Sequence, residues 1–174
     1  MLKRALLVLI LLLIPSLAQA GVITDHNCIP LVEPNALAFT ARVVEVENGD
    51  IITVEPVDSG KYIEIRLYGI DCPKENQPYG SIAKNYITYL TLDKIVKIEE
   101  KDKDQYGRTV AIVTLGNGNV LQELLLEDGF AWVYPSYCKD CKSWMVLQAE
   151  AMTAKAGLWQ DLDPTPPWMW RKKR

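Results

Sequence analysis

Arginine and aspartate residues recur in three short segments of the chain, at positions that could serve phosphate chemistry. The segments are residues 48–50, 66–74 and 104–108. An arginine offers a planar fork of N–H donors to phosphate oxygens, and carboxylates at loop edges can hold a hard divalent cation that bridges to the same phosphate. Together these residue types predict hydrolysis of a phosphodiester.

Such hydrolysis requires stabilisation of charge on the phosphoryl oxygens, a positioned water and assistance to the leaving oxygen. Asp50 follows a predicted hairpin turn and Asp71 ends a predicted strand, so a barrel could bring the two carboxylates together. Two carboxylates, a backbone carbonyl and waters form a plausible Ca²⁺ site. Arg66 and Arg108 could then both point toward one phosphate.

Hydrophobic periodicity predicts the elements that must position these residues. Alternating apolar and polar residues predict strands at 41–46, 51–54, 62–67, 95–99 and 109–113, the first three as a meander. Helical spacing predicts helices at 79–92, 120–127 and 144–156. This order favours an α+β fold, a five-stranded barrel of the oligonucleotide-binding type capped by about three helices.

The N-terminal segment, 1–20, has the pattern of a cleavable secretory signal. Lys3 and Arg4 precede the apolar run 5–14, and small residues close the segment at Ala18 and Ala20. We therefore expect export to the periplasm or the extracellular space, with no membrane attachment after cleavage. An uncleaved N-terminal anchor is the alternative.

The remaining chain predicts one domain flanked by irregular segments. The 174 residues suffice for one hydrophobic core, so we expect an irregular leader at 21–37, a barrel domain at 38–160 and a Pro/Trp-rich tail with a basic end at 161–174. That tail could pack on the barrel or contact phosphates. Without its signal the chain would carry a net charge of about −5, so nucleic-acid binding should be local and salt-sensitive. No stable protein partner is implied, and we expect a monomer.

Four cysteines lie in the predicted exported part: Cys28, Cys72, Cys138 and Cys141. An even number of cysteines in an oxidising compartment predicts two disulfides, for which three pairings are possible. We favour Cys138 with Cys141 and Cys28 with Cys72. Metal binding by Cys138 and Cys141 is a weaker alternative, because a single pair without nearby histidines is a poor zinc signal.

The three segments resemble those of the staphylococcal-nuclease-like, or thermonuclease, family of secreted, Ca²⁺-dependent phosphodiesterases. The likeness runs from about residue 39 to 159. The family's Asp-Gly-Asp element corresponds to 48–50, its Arg-Leu-x-Gly-Ile-Asp-x-Pro-Glu element to 66–74, and its Asp-x-Tyr-Gly-Arg element to 104–108. The resemblance implies an oligonucleotide-binding barrel that hydrolyses DNA and RNA, with the 5′ oxygen leaving and a 3′-phosphate remaining.

The resemblance also implies roles for individual residues. Asp50 and Asp71 would be metal ligands, with the Cys72 carbonyl as a third. Arg66 and Arg108 would bind the phosphate and stabilise its charge during catalysis. Two tyrosines are further candidates for substrate binding, Tyr106 beneath Arg108 and Tyr134 as a surface on which a base could stack, although both could serve packing alone.

One departure from the family pattern concerns the residue that would activate water. Lys74 occupies the position of the family's glutamate, and Glu75 follows it. An ammonium has no lone pair to accept a proton, and loss of a general base typically lowers the rate by about 10²- to 10⁴-fold. Glu75 could take over this role by a movement of its loop. Asn48 and Ile51 also depart from the family's acid and threonine beside Asp50, which would weaken metal binding.

Three functional hypotheses follow from these observations. The first is a secreted Ca²⁺-dependent nuclease that acts on DNA or RNA, preferably single-stranded. The second is a catalytically silent module that binds single-stranded nucleic acid through the same arginines. The third is an exported domain whose acidic surface serves a protein partner.

Overall fold

The computed structural model of the protein describes residues 37–138 and 141–172. The predicted signal segment, the predicted leader up to residue 36, and Cys28 lie outside the described residues. The strands are β1 Ala38–Asn48, β2 Ile51–Pro56, β3 Ile63–Leu67, β4 Ile70–Asp71, β5 Ile95–Lys103, β6 Thr109–Leu115 and β7 Trp132–Val133. The helices are α1 Gly80–Thr91, α2 Leu121–Glu127, α3 Lys142–Ala154 and α4 Pro167–Lys172, with 3₁₀ turns at Pro135–Tyr137 and Gly157–Gln160.

Five strands form a closed barrel in the order β1-β2-β3-β6-β5. The first three strands pair as the antiparallel meander that the alternation pattern predicts. β3 then pairs in parallel with β6, and β1 pairs antiparallel with β5, which closes the barrel. The predicted fold class, a five-stranded barrel with capping helices, is confirmed.

Branched apolar side chains fill the barrel because alternate strand residues face inward. The fully buried members include Val43, Ile52, Ile65, Ile98 and Val113. Register shifts in β1 between Val43 and Glu45 and between Val46 and Asn48 bend this long strand as it crosses the barrel. The Leu67 amide at the end of β3 donates to the Asp50 carbonyl at 2.9 Å, so the β1–β2 turn lies beside the end of β3.

The helices cover the barrel with apolar faces. α1 packs against β1 through Ala83 and Ile87, and α2 contributes Leu121 and Leu125 between β6 and α3. On α3, Trp144 is buried and donates its indole N–H to Oε1 of Glu123 at 3.0 Å. Among the described residues, no helix combines the length and apolar character that crossing a bilayer requires.

A short two-stranded ribbon of β4 and β7 lies outside the barrel and was not predicted. It pairs Ile70 with Val133 and Asp71 with Trp132. Beyond β7, Cys138 and Cys141 form a disulfide, as predicted, with their Cα atoms 5.6 Å apart. Cys72 follows β4 and is fully buried, while its predicted partner Cys28 lies outside the described part of the chain.

Candidate active site

Two aspartates meet at one end of the barrel, and neither has any exposed surface. Asp50 ends the tight turn between β1 and β2, where an added Cβ on Gly49 would lie only 2.7 Å from the Cβ of Cys72. The turn therefore packs directly on the residue that follows Asp71. The Cys72 amide donates to Oδ2 of Asp50 at 3.2 Å, which fixes the carboxylate toward Asp71.

Lys74 places its ammonium between the two carboxylates. Its Nζ lies 2.7 Å from Oδ2 of Asp50 and 3.0 Å from Oδ1 of Asp71. The Lys74 side chain is only 23% exposed, so these contacts are made largely out of water. Lys74, which departs from the sequence pattern at the glutamate position, is therefore ion-paired with both aspartates.

Arg66 approaches the same pair from β3. Its Nη2 lies 3.2 Å from Oδ2 of Asp50 and 3.4 Å from Oδ1 of Asp71. The guanidinium also donates to the carbonyl oxygens of Leu67 at 3.2 Å and Ile70 at 2.9 Å. These bonds fix the plane of the guanidinium, so its position is set by the backbone of the β3–β4 turn.

Arg171, on the C-terminal helix α4, supplies a third cation to the pair. Its guanidinium donates to both carboxylate oxygens of Asp71, at 3.3 Å to Oδ1 and 3.0 Å to Oδ2. Such a two-bond contact is the geometry that gives arginine–carboxylate pairs their strength. The predicted tail thus packs back on the barrel and reaches the site.

The two carboxylates have different electrostatic surroundings. Burial favours the neutral form of Asp50, but the positive charges of Arg66 and Lys74 outweigh this and hold its pKa well below the usual range. Burial raises the pKa of Asp71; Lys74 counteracts that rise, and the negative charge of Asp50 adds to it. Asp50 is therefore the more firmly ionised member of the pair.

Arg108 reaches the site from the turn between β5 and β6. Its Nε donates to Oδ2 of Asp104 at 2.6 Å, and its Nη1 donates to Oε1 of Glu64 at 3.3 Å. The ring of Tyr106 lies 5.2 Å from the guanidinium carbon and is largely exposed. Arg108 is thus held by carboxylates on two elements and has N–H donors left for a ligand.

A cleft of about 440 Å³ joins these groups. Its polar lining includes Arg66, Lys74, Asp104, Tyr106, Arg108, Tyr134 and Arg171. The ring of Tyr134 stacks on Trp168 of α4, with centroids 5.1 Å apart and planes at 17°. Both predicted arginines and both predicted tyrosines therefore line one cleft, and the buried aspartates lie beneath it.

Glu75 is placed apart from this cleft. Its side chain is 71% exposed and its nearest charged partner is Lys84, 3.9 Å away. The loop is also held in place: the Gln77 amide donates to the Lys74 carbonyl at 2.7 Å, and the Gln77 side chain donates to the carbonyl of Thr165 at 2.5 Å. Any catalytic role of Glu75 stays a prediction, and it would require rotation of the side chain rather than movement of a loose loop.

The predicted calcium site can be tested against these donors. Carboxylate oxygens are the right ligand type, and Oδ1 of Asp50 is a buried acceptor without a hydrogen bond. The other three carboxylate oxygens of the pair already accept from Lys74, Arg66, Arg171 or the Cys72 amide. Across residues 37–138 and 141–172, no group of three or more His, Cys, Asp or Glu side chains is arranged to hold a metal ion. As arranged, the set does not fit a calcium ion.

Four contributions to the site were missed by sequence reasoning. Asp104 and Glu64 orient Arg108, while Arg171 and Trp168 come from the tail. Asp104 lies in a segment that the sequence did single out, so its role was within reach. Arg171 is separated from Asp71 by 100 residues, and no periodicity or spacing signals that contact.

Comparisons with known proteins find a matching family and several relatives. Residues 64–161 match the family described as Staphylococcal nuclease homologue. An uncharacterized endonuclease of Escherichia coli O157:H7 is 40% identical over 133 residues, which cover 76% of this chain and 85% of that protein. A similarly described endonuclease of Haemophilus influenzae is 34% identical, over 77% of this chain and 74% of its own length. A micrococcal nuclease of Shigella flexneri is 32% identical, over 77% of this chain and 81% of its own length.

Proposed function

Because this chain belongs to the staphylococcal nuclease homologue family, we propose that it is an exported nuclease that hydrolyses single-stranded DNA or RNA in the cleft between Arg66 and Arg108. The observation that carries the proposal is that these two arginines, far apart in sequence, line one cleft. Each is oriented by fixed acceptors, Arg66 by backbone carbonyls and Arg108 by Asp104 and Glu64.

The proposed chemistry is stabilisation of charge on the phosphoryl oxygens. Donors that are already oriented before the reaction need no rearrangement as negative charge develops, and this makes their contribution to the rate large. Water attacks the phosphorus and gives up a proton, the bond between phosphorus and the 5′ oxygen breaks, the 5′ oxygen takes up a proton from solvent, and a 3′-phosphate remains. We assign proton acceptance from that water to Glu75, which must leave Lys84 to reach it.

Substrate binding would rest on stacking as well as on charge. Tyr106 is exposed beside Arg108, and the half-buried Tyr134 lines the cleft with its ring packed against Trp168 and Tyr137. Aromatic rings can stack on the unpaired bases of a single strand, at about 1–3 kcal/mol per base. Since the chain as a whole is acidic, this binding should depend on a few local contacts and weaken with salt.

The proposed reaction uses no calcium ion. Calcium dependence is what the family resemblance implies, but the oxygens of Asp50 and Asp71 that would hold the ion already accept from side-chain cations. The Cys72 amide contributes a hydrogen bond to Asp50. Charge stabilisation and proton transfer are therefore assigned to the protein's own side chains and to water.

Export, a monomeric state and the domain limits 38–160 are also part of the proposal. The N-terminal pattern of residues 1–20 supports export, and the disulfide between Cys138 and Cys141 is consistent with an oxidising compartment. Mass spectrometry of the exported protein would show whether the chain begins at Gly21.

A catalytically silent module that binds single-stranded nucleic acid is the second candidate. The observation that favours it is the absence of a free carboxylate in the cleft, within the described residues. Lys74 takes the position of the family's glutamate, Glu75 faces Lys84, and Asp104 is engaged by Arg108.

The test is to incubate the protein with single-stranded DNA and to identify the ends of any products. Cleavage with 3′-phosphate ends is expected, and Arg108→Ala should lower the rate by about 10²- to 10³-fold. Arg42→Ala is the matched control, because Arg42 pairs with Glu55 outside the cleft. Binding without cleavage at high protein concentration would instead support the silent module. Absence of both binding and cleavage would favour the protein-interaction domain.

A further inference from the structure

The Lys74 ammonium lies where a bound cation would bridge two carboxylates. It contacts Asp50 at 2.7 Å and Asp71 at 3.0 Å, and both partners are fully buried. We infer that Lys74 is the resident cation of this site, so that the acidic pair excludes calcium and cleavage proceeds without it. The part of this inference that concerns cleavage rests on the proposed function; the part that concerns calcium binding does not.

Charge balance around the pair supports the inference. Two carboxylates are surrounded by the cations Arg66, Lys74 and Arg171, all within 3.4 Å of a carboxylate oxygen. A divalent ion placed in this site would add two positive charges to a cluster that is already positive by one. Repulsion over a few ångströms in a poorly solvated site is strong, so calcium could enter only by displacing Lys74.

The number of available oxygens leads to the same conclusion. Calcium takes six to eight oxygen ligands. Of the four carboxylate oxygens here, only Oδ1 of Asp50 lacks a hydrogen-bond donor. A single free oxygen cannot replace most of the hydration shell of the ion.

The backbone of Lys74 is held in place by contacts within its loop. The Lys74 amide donates to the Gln77 side chain at 3.2 Å, and the Lys74 carbonyl accepts from the Gln77 amide at 2.7 Å. The same carbonyl lies so close to Gly80 that a Cβ added there would be 1.8 Å from it. The loop thus fixes the point from which the side chain extends, and the contacts with Asp50 and Asp71 hold its ammonium.

Lys74 can also act on the substrate from this position. An ammonium has three N–H donors, and the contacts with the aspartates use two of them. The Lys74 side chain lines the cleft beside Arg66. The third N–H of its ammonium can therefore donate to a phosphate oxygen. The charge that a metal ion would bring to the phosphate is thus supplied by a side chain.

The first experiment measures calcium binding by the wild type, Lys74→Glu and Lys97→Glu. Lys97 is exposed on β5, so its substitution makes the same change in charge away from the site. Millimolar Ca²⁺ should leave the melting temperature of the wild type and of Lys97→Glu unchanged. It should raise that of Lys74→Glu by about 5 °C or more, since this variant replaces the cation with a third carboxylate. An equal rise in the wild type would overturn the inference.

A calorimetric titration of the wild type with Ca²⁺ keeps the inference falsifiable if Lys74→Glu does not fold. No saturable heat of binding is expected, and stoichiometric binding that Asp50→Asn abolishes would refute the inference.

The second experiment measures cleavage of single-stranded DNA by the wild type with a chelator. The rate should stay within about twofold of that with Ca²⁺, whereas a loss of about tenfold or more that Ca²⁺ reverses would overturn the inference. Absence of cleavage under both conditions would count against the proposed function, and the titration would still decide whether Lys74 excludes calcium.

Discussion

Arg108 and Asp104 hold each other in a closed turn. The Nε of Arg108 donates to Oδ2 of Asp104 at 2.6 Å, while the Arg108 amide donates to Oδ1 at 3.0 Å. Burial opposes the charge of Asp104, but these hydrogen bonds outweigh it and lower the pKa of its carboxyl. A single carboxylate thus fixes both the backbone and the guanidinium of a proposed phosphate-binding residue.

Asp104→Asn should therefore lower the turnover number while leaving the affinity for DNA little changed. The amide cannot hold the guanidinium as strongly, so Arg108 loses orientation but keeps its charge. We expect a loss of about 10- to 10²-fold, smaller than that of Arg108→Ala, because a hydrogen bond to a charged group contributes about 1.5–3 kcal/mol. Steady-state kinetics on single-stranded DNA would separate the two parameters. A proportional loss of affinity would indicate that Asp104 shapes the cleft as a whole.

Glu75 is the proposed acceptor of the proton from the attacking water. Glu75→Gln should lower the rate by at least tenfold, since removal of a general base costs about 10²- to 10⁴-fold when no other group replaces it. Lys84→Gln is the matched control: it releases Glu75 from its contact at 3.9 Å and should not lower the rate. Single-turnover cleavage would measure both variants. An unchanged rate in Glu75→Gln would remove this residue from the mechanism.

Gly80 offers a test of the loop that positions Lys74. A Cβ at Gly80 would lie 1.8 Å from the Lys74 carbonyl oxygen, so Gly80→Ala must displace backbone. We expect a loss of about 2 kcal/mol or more in the free energy of unfolding, measured with urea. Gly116→Ala is the control, because the nearest atom to its added Cβ is the Ile95 carbonyl oxygen at 3.8 Å. Equal stability of both variants would show that the loop adapts easily.

The ionised carboxylate of Asp50 should make the free energy of unfolding depend on pH. Its pKa in the folded state is held below the unfolded value of about 3.9, so its contribution is complete above that pH and is lost as the pH falls toward the folded value. Asp50→Asn leaves Lys74 without one buried partner and should cost about 3–5 kcal/mol at neutral pH. Denaturant unfolding at a series of pH values should show the two proteins converging in acid. A constant difference at all pH values would exclude ionised Asp50 as the cause.

The barrel could be predicted because each strand carries its own signal. Residues 51–54 and 109–113 alternate or run apolar between turn residues, and the observed strands extend these ranges by only a few residues. The β4–β7 ribbon escaped prediction because two residues in each strand are too few to show a period. Its pairing depends on tertiary placement.

Part of the lining of the cleft could be predicted from the sequence, but the contacts within the site could not. Arg66, Asp71 and Arg108 lie in motifs with recognisable spacing, and the structure brings them to one end of the barrel. The sequence marked Lys74 only as a substitution, because a one-dimensional pattern does not show that an ammonium points between two buried carboxylates. The role of Arg171 could not be predicted for the same reason, since its partner Asp71 lies 100 residues earlier in the sequence.

The stack of Trp168 on Tyr134 has a practical consequence. It places an indole against a ring that lines the cleft, and Trp132 lies 6.0 Å from Trp168 between ring centroids and 4.3 Å from Trp159. Indole emission responds to changes in contact and hydration of this kind. The protein's own fluorescence can therefore report occupancy of the cleft in real time, without attaching a dye to either partner.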